Sequence, residues 1–363
     1  MTQPLLGLLA SAIAIVVSMG LLAVVDFPTF VGWVSFYMLA VVPIQIVVVV
    51  IWGASLPAAA GLRQPAKGAV LLLVTAIVAA VMTPLVWQFV GEGVSPPGPI
   101  PSQYAVVVVP TTFFLAIAFG GWPFTTVISN RIAAGLLLLA ASYLITWVLF
   151  RAFFDYEFLK GAPVYLQSAP HGSFNGVVAL VFYVTMLAGM FLLLHFDLWP
   201  MTTSPALMKQ PVLGVVWTLI AAVVAAVTMW VTLGRLALDP MYVLTRITAP
   251  FIFGTIIVLN MLQNSFFARL TQPLKGVANA VTAFVVGLAL AQLYGVLAPT
   301  LAGMPLASGS PGYEYELWLV NALLSVTFPF LIFSAAYFTF WPLPQPAPPK
   351  LRGGSPATER EVV

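Results

Sequence analysis

Charge is what this chain has least of. Asp, Glu, Lys and Arg make up 6% of its 363 residues, against 61% hydrophobic, whereas a soluble domain carries roughly a quarter charged residues. A water-facing surface cannot be assembled from so few charges, so the composition excludes a soluble globular protein and points to an integral membrane protein. The net charge of +3 is spread over many short connections and forms no basic patch for nucleic acid.

Cysteine is absent. That excludes disulfides, thiolate metal sites, cysteine-ligated iron–sulfur clusters and c-type haem attachment. There is no GxxxxGK[ST] loop, no GxGxxG after a strand and no acidic cluster. ATP hydrolysis within the chain is therefore not expected, nor is a cofactor, a metal site or a set of catalytic residues, and the reading leans away from an enzyme. The two histidines, His171 and His195, fall at opposite ends of a predicted span, so one haem cannot use both. No Asp or Glu lies deep in a predicted span, where proton-coupled carriers often keep a carboxylate.

Long apolar runs are what the chain has in abundance. A spanning helix needs about 20 apolar residues, and lipid forces each backbone group to pair within its own segment or in a closed barrel. The runs lack the two-residue alternation of a barrel strand. They predict ten transmembrane helices, at 5–25, 30–55, 68–91, 104–120, 132–154, 176–198, 212–233, 241–267, 276–297 and 316–341, in a single all-α domain covering 1–341. A cleaved signal peptide is the rival reading of the first run, but it calls for a basic leading segment, and the first Lys or Arg is Arg63. The residues 342–363 have the Pro, Gly and charge content of a disordered tail.

Basic residues orient the bundle. Arg63, Lys67, Arg131, Lys209, Arg269, Lys275, Lys350, Arg352 and Arg360 follow even-numbered helices, and only Arg151, Lys160, Arg235 and Arg246 lie on the opposite side. The even-helix turns are thus expected in the cytoplasm, with both termini inside, in a bacterial cytoplasmic (inner) membrane. Trp52, Trp122, Trp199 and Trp341 near one set of ends, and Trp33, Trp87, Trp147, Trp230 and Trp318 near the other, fit two interfacial belts.

The cytoplasmic turns resemble one another. RQPAKG at 63–68, KQPVLG at 209–214 and TQPLKG at 271–276 share Gln-Pro-x-x-Gly, with SNRIAAG at 129–135 as a degenerate version. Pro suits a first helical turn, where its missing N–H costs nothing, and Gly one turn on allows close helix approach. All copies fall on one side, so the expectation is parallel hairpin repeats of helices 2–3, 4–5, 6–7 and 8–9 between helices 1 and 10, not an inverted repeat.

Candidate chemistry is sparse. His195 and Asp197 are two apart, which on a helix points them to different faces, so interfacial anchoring is the simpler reading; Lys209 offers Asp197 a partner. Asn260, Gln263 and Asn264 are spaced to share one face of the eighth helix, and polar groups in spans usually face a bundle interior or a water-filled cavity. Gln45, Asn279, Gln292 and Asn321 can converge with them, either as a solute path or as interhelical hydrogen bonds worth roughly 0.6–2 kcal/mol each. Arg246, a turn into the eighth helix, either snorkels or pairs, for instance with Asp239, or else attracts an anion. The leading expectation is a permease or facilitator for a small, neutral or weakly polar organic solute, with Asn260, Gln263, Asn264, Gln292, Asn321 and Arg246 as its contacts. The alternative is a membrane anchor or partner subunit of a larger enzyme or transport complex, docking through the outer loop at 155–175. Membrane lipid surrounds the protein in either case.

Overall fold

A computed structural model describes residues 1–310 and 312–344; the disordered tail expected at 342–363 lies almost wholly outside the described residues. The chain is an integral membrane protein, with ten long apolar helices among the described residues: α1 Leu5–Ala23, α2 Phe27–Ile51, α3 Ala66–Phe89, α4 Pro99–Ala118, α5 Arg131–Phe153, α6 Gly176–His195, α7 Val212–Arg235, α8 Pro240–Met261, α9 Leu274–Ala302 and α10 Glu314–Tyr337. The only strands among the described residues are β1 Phe154–Asp155 and β2 Phe174–Asn175, which pair in parallel across the loop between α5 and α6.

Three of the five helix starts on the side away from the Gln-Pro turns, those of α2, α6 and α8, are set by side-chain caps. Asp26 accepts from Thr29 N–H at 3.0 Å, Asn175 from Val177 N–H at 3.0 Å, and Asp239 from Met241 N–H at 2.8 Å. Each satisfies an amide that the first turn would otherwise leave bare.

The ten helices form two concentric layers. α2, α4, α6, α8 and α10 each pack against the next, and α10 packs back against α2, which closes a ring. The odd helices fill the outer grooves: α1 lies against α8 and α10, α3 against α10 and α2, α5 against α2 and α4, α7 against α4 and α6, and α9 against α6 and α8. Hydroxyl pairs tie neighbours together where lipid offers no partner. Ser18, Tyr294 and Thr327 join α1, α9 and α10 at 2.7–3.2 Å, and Thr185 meets Thr248 between α6 and α8 at 3.1 Å.

Four of the five outer helices are locked to an inner one by the same junction. Gln64 donates from Nε2 to the Tyr337 carbonyl at the end of α10 and accepts at Oε1 from Gly68 N–H. Gln210 does the same with the Ala118 carbonyl and Gly214, and Gln272 with the His195 carbonyl and Gly276. One amide thereby satisfies an exposed carbonyl at one helix end and an exposed N–H at another. The glycine matters because the residue after the inner helix lies on it. A Cβ at Gly68, Gly214 or Gly276 would run into the ring of Phe338, Phe119 or Phe196.

Two further junctions complete the circle. Gln3 donates to the Met261 carbonyl at 3.0 Å and accepts from Gly7 N–H, so the Gln-Pro-x-x-Gly pattern also opens α1. At α5 the degenerate turn keeps half of the arrangement: Arg131 Nε donates to the Ile51 carbonyl at 3.1 Å, and a Cβ at Gly135 would overlap Trp52. Arginine has no acceptor, and Asn130 supplies one instead, capping Ile132 and Ala133.

The inner helices also end alike. α2, α4, α8 and α10 finish in five-residue π-helical turns, Val47–Ile51, Phe114–Ala118, Ile257–Met261 and Phe333–Tyr337, and only α6 stays α-helical to His195. Two residues past each end comes a pair with left-handed backbone: Gly53-Ala54, Gly120-Gly121, Asp197-Leu198, Gln263-Asn264 and Thr339-Phe340. This corrects one sequence expectation. α8 stops at Met261, so Gln263 and Asn264 form its turn and do not share a helical face with Asn260.

Candidate axial site

The closed inner ring surrounds a cavity of about 250 Å³ toward the end that carries the Gln-Pro turns. All five inner helices contribute: Gln45, Ile46, Val49 and Val50 from α2, Phe113 and Ile117 from α4, Phe191 and Leu194 from α6, Thr255, Ile256, Leu259 and Asn260 from α8, and Phe328 and Ile332 from α10. No charged side chain lines it. Phe113 packs edge to face on Phe191 at 5.1 Å between ring centres and reaches across the ring to Phe328 at 6.2 Å. A second cavity of about 600 Å³ lies beside it, bounded by the starts and ends of α2, α4 and α5 and by Arg131; Val50 and Ile117 border both.

Three polar side chains meet the axial cavity, and each is held differently. Gln45 is buried, with Nε2 donating to the Pro329 carbonyl of α10 at 2.9 Å. A carbonyl can only accept, so the amide nitrogen is fixed toward Pro329 and Oε1 is turned away from it. That oxygen is buried and has no hydrogen-bond partner among the described residues. Thr255 Oγ1 is 3.0 Å from His195 Nε2, which ties the cavity wall on α8 to the end of α6. Asn260 is half-buried at the last turn of α8.

Of the six residues expected to contact a solute, only Asn260 lies on this cavity. Gln263 and Asn264 are in the turn below it. Gln292 is exposed on α9, on the outside of the bundle. Asn321 is engaged within α10, donating to the Leu317 carbonyl at 2.9 Å and accepting from Ser325. Arg246 bonds to Tyr315 OH at 3.3 Å and lies over that ring, 5.2 Å from its centre. Asp239, offered as its partner, instead caps α8 and accepts from Tyr313 OH at 2.8 Å.

Other buried polar groups sit apart from the cavity lining. Asn279 on α9 is buried with both amide atoms unpartnered among the described residues, as is His195 Nδ1. His195 is fully buried at the last residue of α6. Asp197, in the turn below it, pairs with Lys275 at 2.8 Å, not with Lys209, and also accepts from Gln272. Partial burial pushes the Asp197 pKa up, but the bonds from Lys275 and Gln272 outweigh this and hold it below the ordinary value.

The residues that sequence reasoning undervalued are Gln45, Thr255 and the three phenylalanines. Gln45 carried a signal, being the lone amide within a run of Pro, Ile and Val. Phe113, Phe191 and Phe328 carried none, because a phenylalanine facing the axis reads like one facing lipid. No family model matches the chain, and no curated protein or solved structure is similar to it.

Proposed function

We propose that the protein is a permease or facilitator for a small, neutral or weakly polar organic solute, and that the solute path runs along the axis of the inner ring. The observation that carries this reading is the cavity to which all five inner helices contribute, apolar in its walls and furnished with Gln45, Thr255 and Asn260. Pockets that bury small molecules commonly combine apolar walls with a few placed polar groups. The cavity lies near the ends whose turns carry most of the basic residues, so by the positive-inside rule it faces the cytoplasm. On this reading both termini lie in the cytoplasm, and we assign the protein to a bacterial inner membrane.

The architecture behind this path is best drawn as five copies of a two-helix unit. Each unit is an odd helix opened by Gln-Pro-x-x-Gly, or by Arg131 with Gly135, followed by its even helix and a left-handed pair. With the copy at Gln3 counted, all ten described helices fall into units, whereas the four-hairpin scheme sets helices 1 and 10 apart.

Swelling of proteoliposomes in a panel of small neutral solutes tests the function. Wild-type protein should accelerate swelling for some members, and Gln45→Leu combined with Asn260→Leu should abolish the effect at unchanged membrane abundance. Swelling that the double variant leaves intact would remove the axial path.

A partner-subunit role is favoured by a different observation. The outer loop at 155–175 exposes Phe158, Val164 and Phe174, yet it is tied down. Tyr156 OH donates to Gln103, Ser168 N–H to Glu92, and Arg151 to the Ser168 carbonyl. The bond from Ser168 also holds the Glu92 pKa below its ordinary value. Co-purification of a stoichiometric partner in mild detergent, lost on Phe158→Ser with Phe174→Ser, would support that role.

A further inference from the structure

We propose that the cavity at the start of α5 binds the phosphate group of an anionic phospholipid, held by the free end of the Arg131 guanidinium. The assignment stands whether or not the axial cavity carries a solute.

Four outer helices open with a glutamine whose amide is fully used. Its Nε2 donates to an inner-helix carbonyl, and its Oε1 accepts from the glycine N–H four residues on. An uncharged side chain is therefore enough to make the junction. At α5 the equivalent position, four residues before Gly135, holds Arg131. Its Nε alone reproduces the carbonyl bond, to Ile51 at 3.1 Å. Neither terminal nitrogen of the guanidinium has an acceptor among the described residues. The junction accounts for one donor of Arg131 and not for its charge.

That charge borders the larger cavity, of about 600 Å³. Ile51 and Ala116 are buried in its apolar depth, and Thr125, Ser129 and Arg131 are exposed at its rim. No acidic side chain lines it, and Ser129 makes no hydrogen bond among the described residues. The last turns of α2 and α4 and the first turn of α5 bound it, so it sits where spans end. Trp122 and the exposed Val127, on the connection that closes it, fit a headgroup depth.

An unpaired cation over a cavity free of acids calls for an anion. The guanidinium fork matches phosphate oxygens with parallel N–H donors, and basic pockets between spans are known to take anionic headgroups. Free phosphate would leave the apolar depth to water. A phospholipid lays its glycerol and upper acyl chain against that depth, and burying this apolar surface adds to the affinity. A zwitterionic lipid brings a cation of its own to Arg131 and is disfavoured.

Native mass spectrometry of the full chain in detergent, titrated with dioctanoyl phosphatidylglycerol, tests the proposal through the affinity of the first lipid bound. Wild type should bind it about tenfold more tightly than Arg131→Gln, in which the residue used at the other four junctions keeps the structural bond. Ser129→Glu, which adds a carboxylate at the exposed rim and leaves Arg131 in place, should weaken binding as much. Arg63→Gln removes an exposed arginine that borders neither cavity and should change nothing. Dioctanoyl phosphatidylcholine should bind wild type about tenfold more weakly than phosphatidylglycerol, and inorganic phosphate in large excess should not displace the bound lipid.

Equal affinity of wild type and Arg131→Gln, an equal loss in Arg63→Gln, or phosphatidylcholine binding as tightly as phosphatidylglycerol would each overturn the assignment. Displacement by inorganic phosphate would overturn the lipid as its ligand.

Discussion

The inner and outer helices overlap in apolarity but live in different surroundings. Mean hydropathy runs from 1.6 to 2.6 across the inner helices and from 2.0 to 2.6 across the outer ones. Burial separates them: 56–78% of each inner span is buried, against 22–44% of each outer one. Lipid tails are as apolar as a protein core, so hydropathy cannot tell a helix that faces its neighbours from one that faces lipid. Backbone interruptions are also denser in the inner ring. Pro43, Pro110, Pro250 and Pro329 interrupt four of its five members, and the same four end in π turns, whereas among the outer helices α3 and α9 contain Pro84 and Pro299 and α7 alone ends in a π turn. Such departures from the regular ladder survive in membranes where neighbouring helices re-satisfy the freed groups, and π turns gather at functional sites.

The strongest way to break this contrast is to add side chains where the two layers touch. Gly254 of α8 and Gly287 of α9 face each other so closely that a Cβ on the first would overlap the Ala283 carbonyl, and on the second the Pro250 carbonyl. Gly254→Leu should therefore abolish folded protein, read as the monodisperse peak in fluorescence-detected gel filtration. Gly20, on the lipid side of α1, has open space around it, and Gly20→Leu should leave that peak intact. Similar losses for both would mean that the layers are not as different as their burial implies.

A smaller effect is expected at the junctions that join the layers. Gln210→Leu strands the Ala118 carbonyl and the Gly214 N–H and should cost about 1–3 kcal/mol, read as a lowered thermal midpoint in detergent. Arg131→Gln replaces the one divergent junction residue with the common one. It should shift the midpoint by no more than about 0.5 kcal/mol.

The smallest expected effect concerns the turn below α6. Asp197 has a depressed pKa in the folded protein, so its contribution is present above the ordinary aspartate pKa and is lost as pH falls through the folded value. The carboxylate is half exposed and its partner is a lysine, so solvent screening limits the gain to a few tenths of a kcal/mol. Asp197→Asn should lower the midpoint slightly near neutral pH and flatten its decline on the acid side. An unchanged acid limb would show that the ion pair contributes nothing.

The spans were legible in the sequence almost to their ends, because length and apolarity are what lipid demands of a helix. The site was not. Counting Gln263 and Asn264 onto the face of Asn260 assumed that α8 continues, but hydropathy does not register a left-handed pair, and asparagine adopts that backbone more readily than most residues. The N-terminal junction is harder to read because Gln3 precedes the first helix and so does not lie in a turn between two helices. At α5 the pattern looked decayed because Arg131 and Asn130 divide between them what one glutamine does elsewhere. The axial phenylalanines are legible only once the ring is closed.

Closure of that ring has a mechanical consequence. Transporters that rock do so by moving one half of the protein against an equivalent half, and a circle of five cannot be cut into equal halves. On the proposed permease reading, opening the far side would have to come from a tilt shared by all five members, as in the blades of an iris, or from one member that differs from the rest. α6 is the odd member: it lacks the π turn, it ends in His195, and through Thr255 it grips the wall of the cavity.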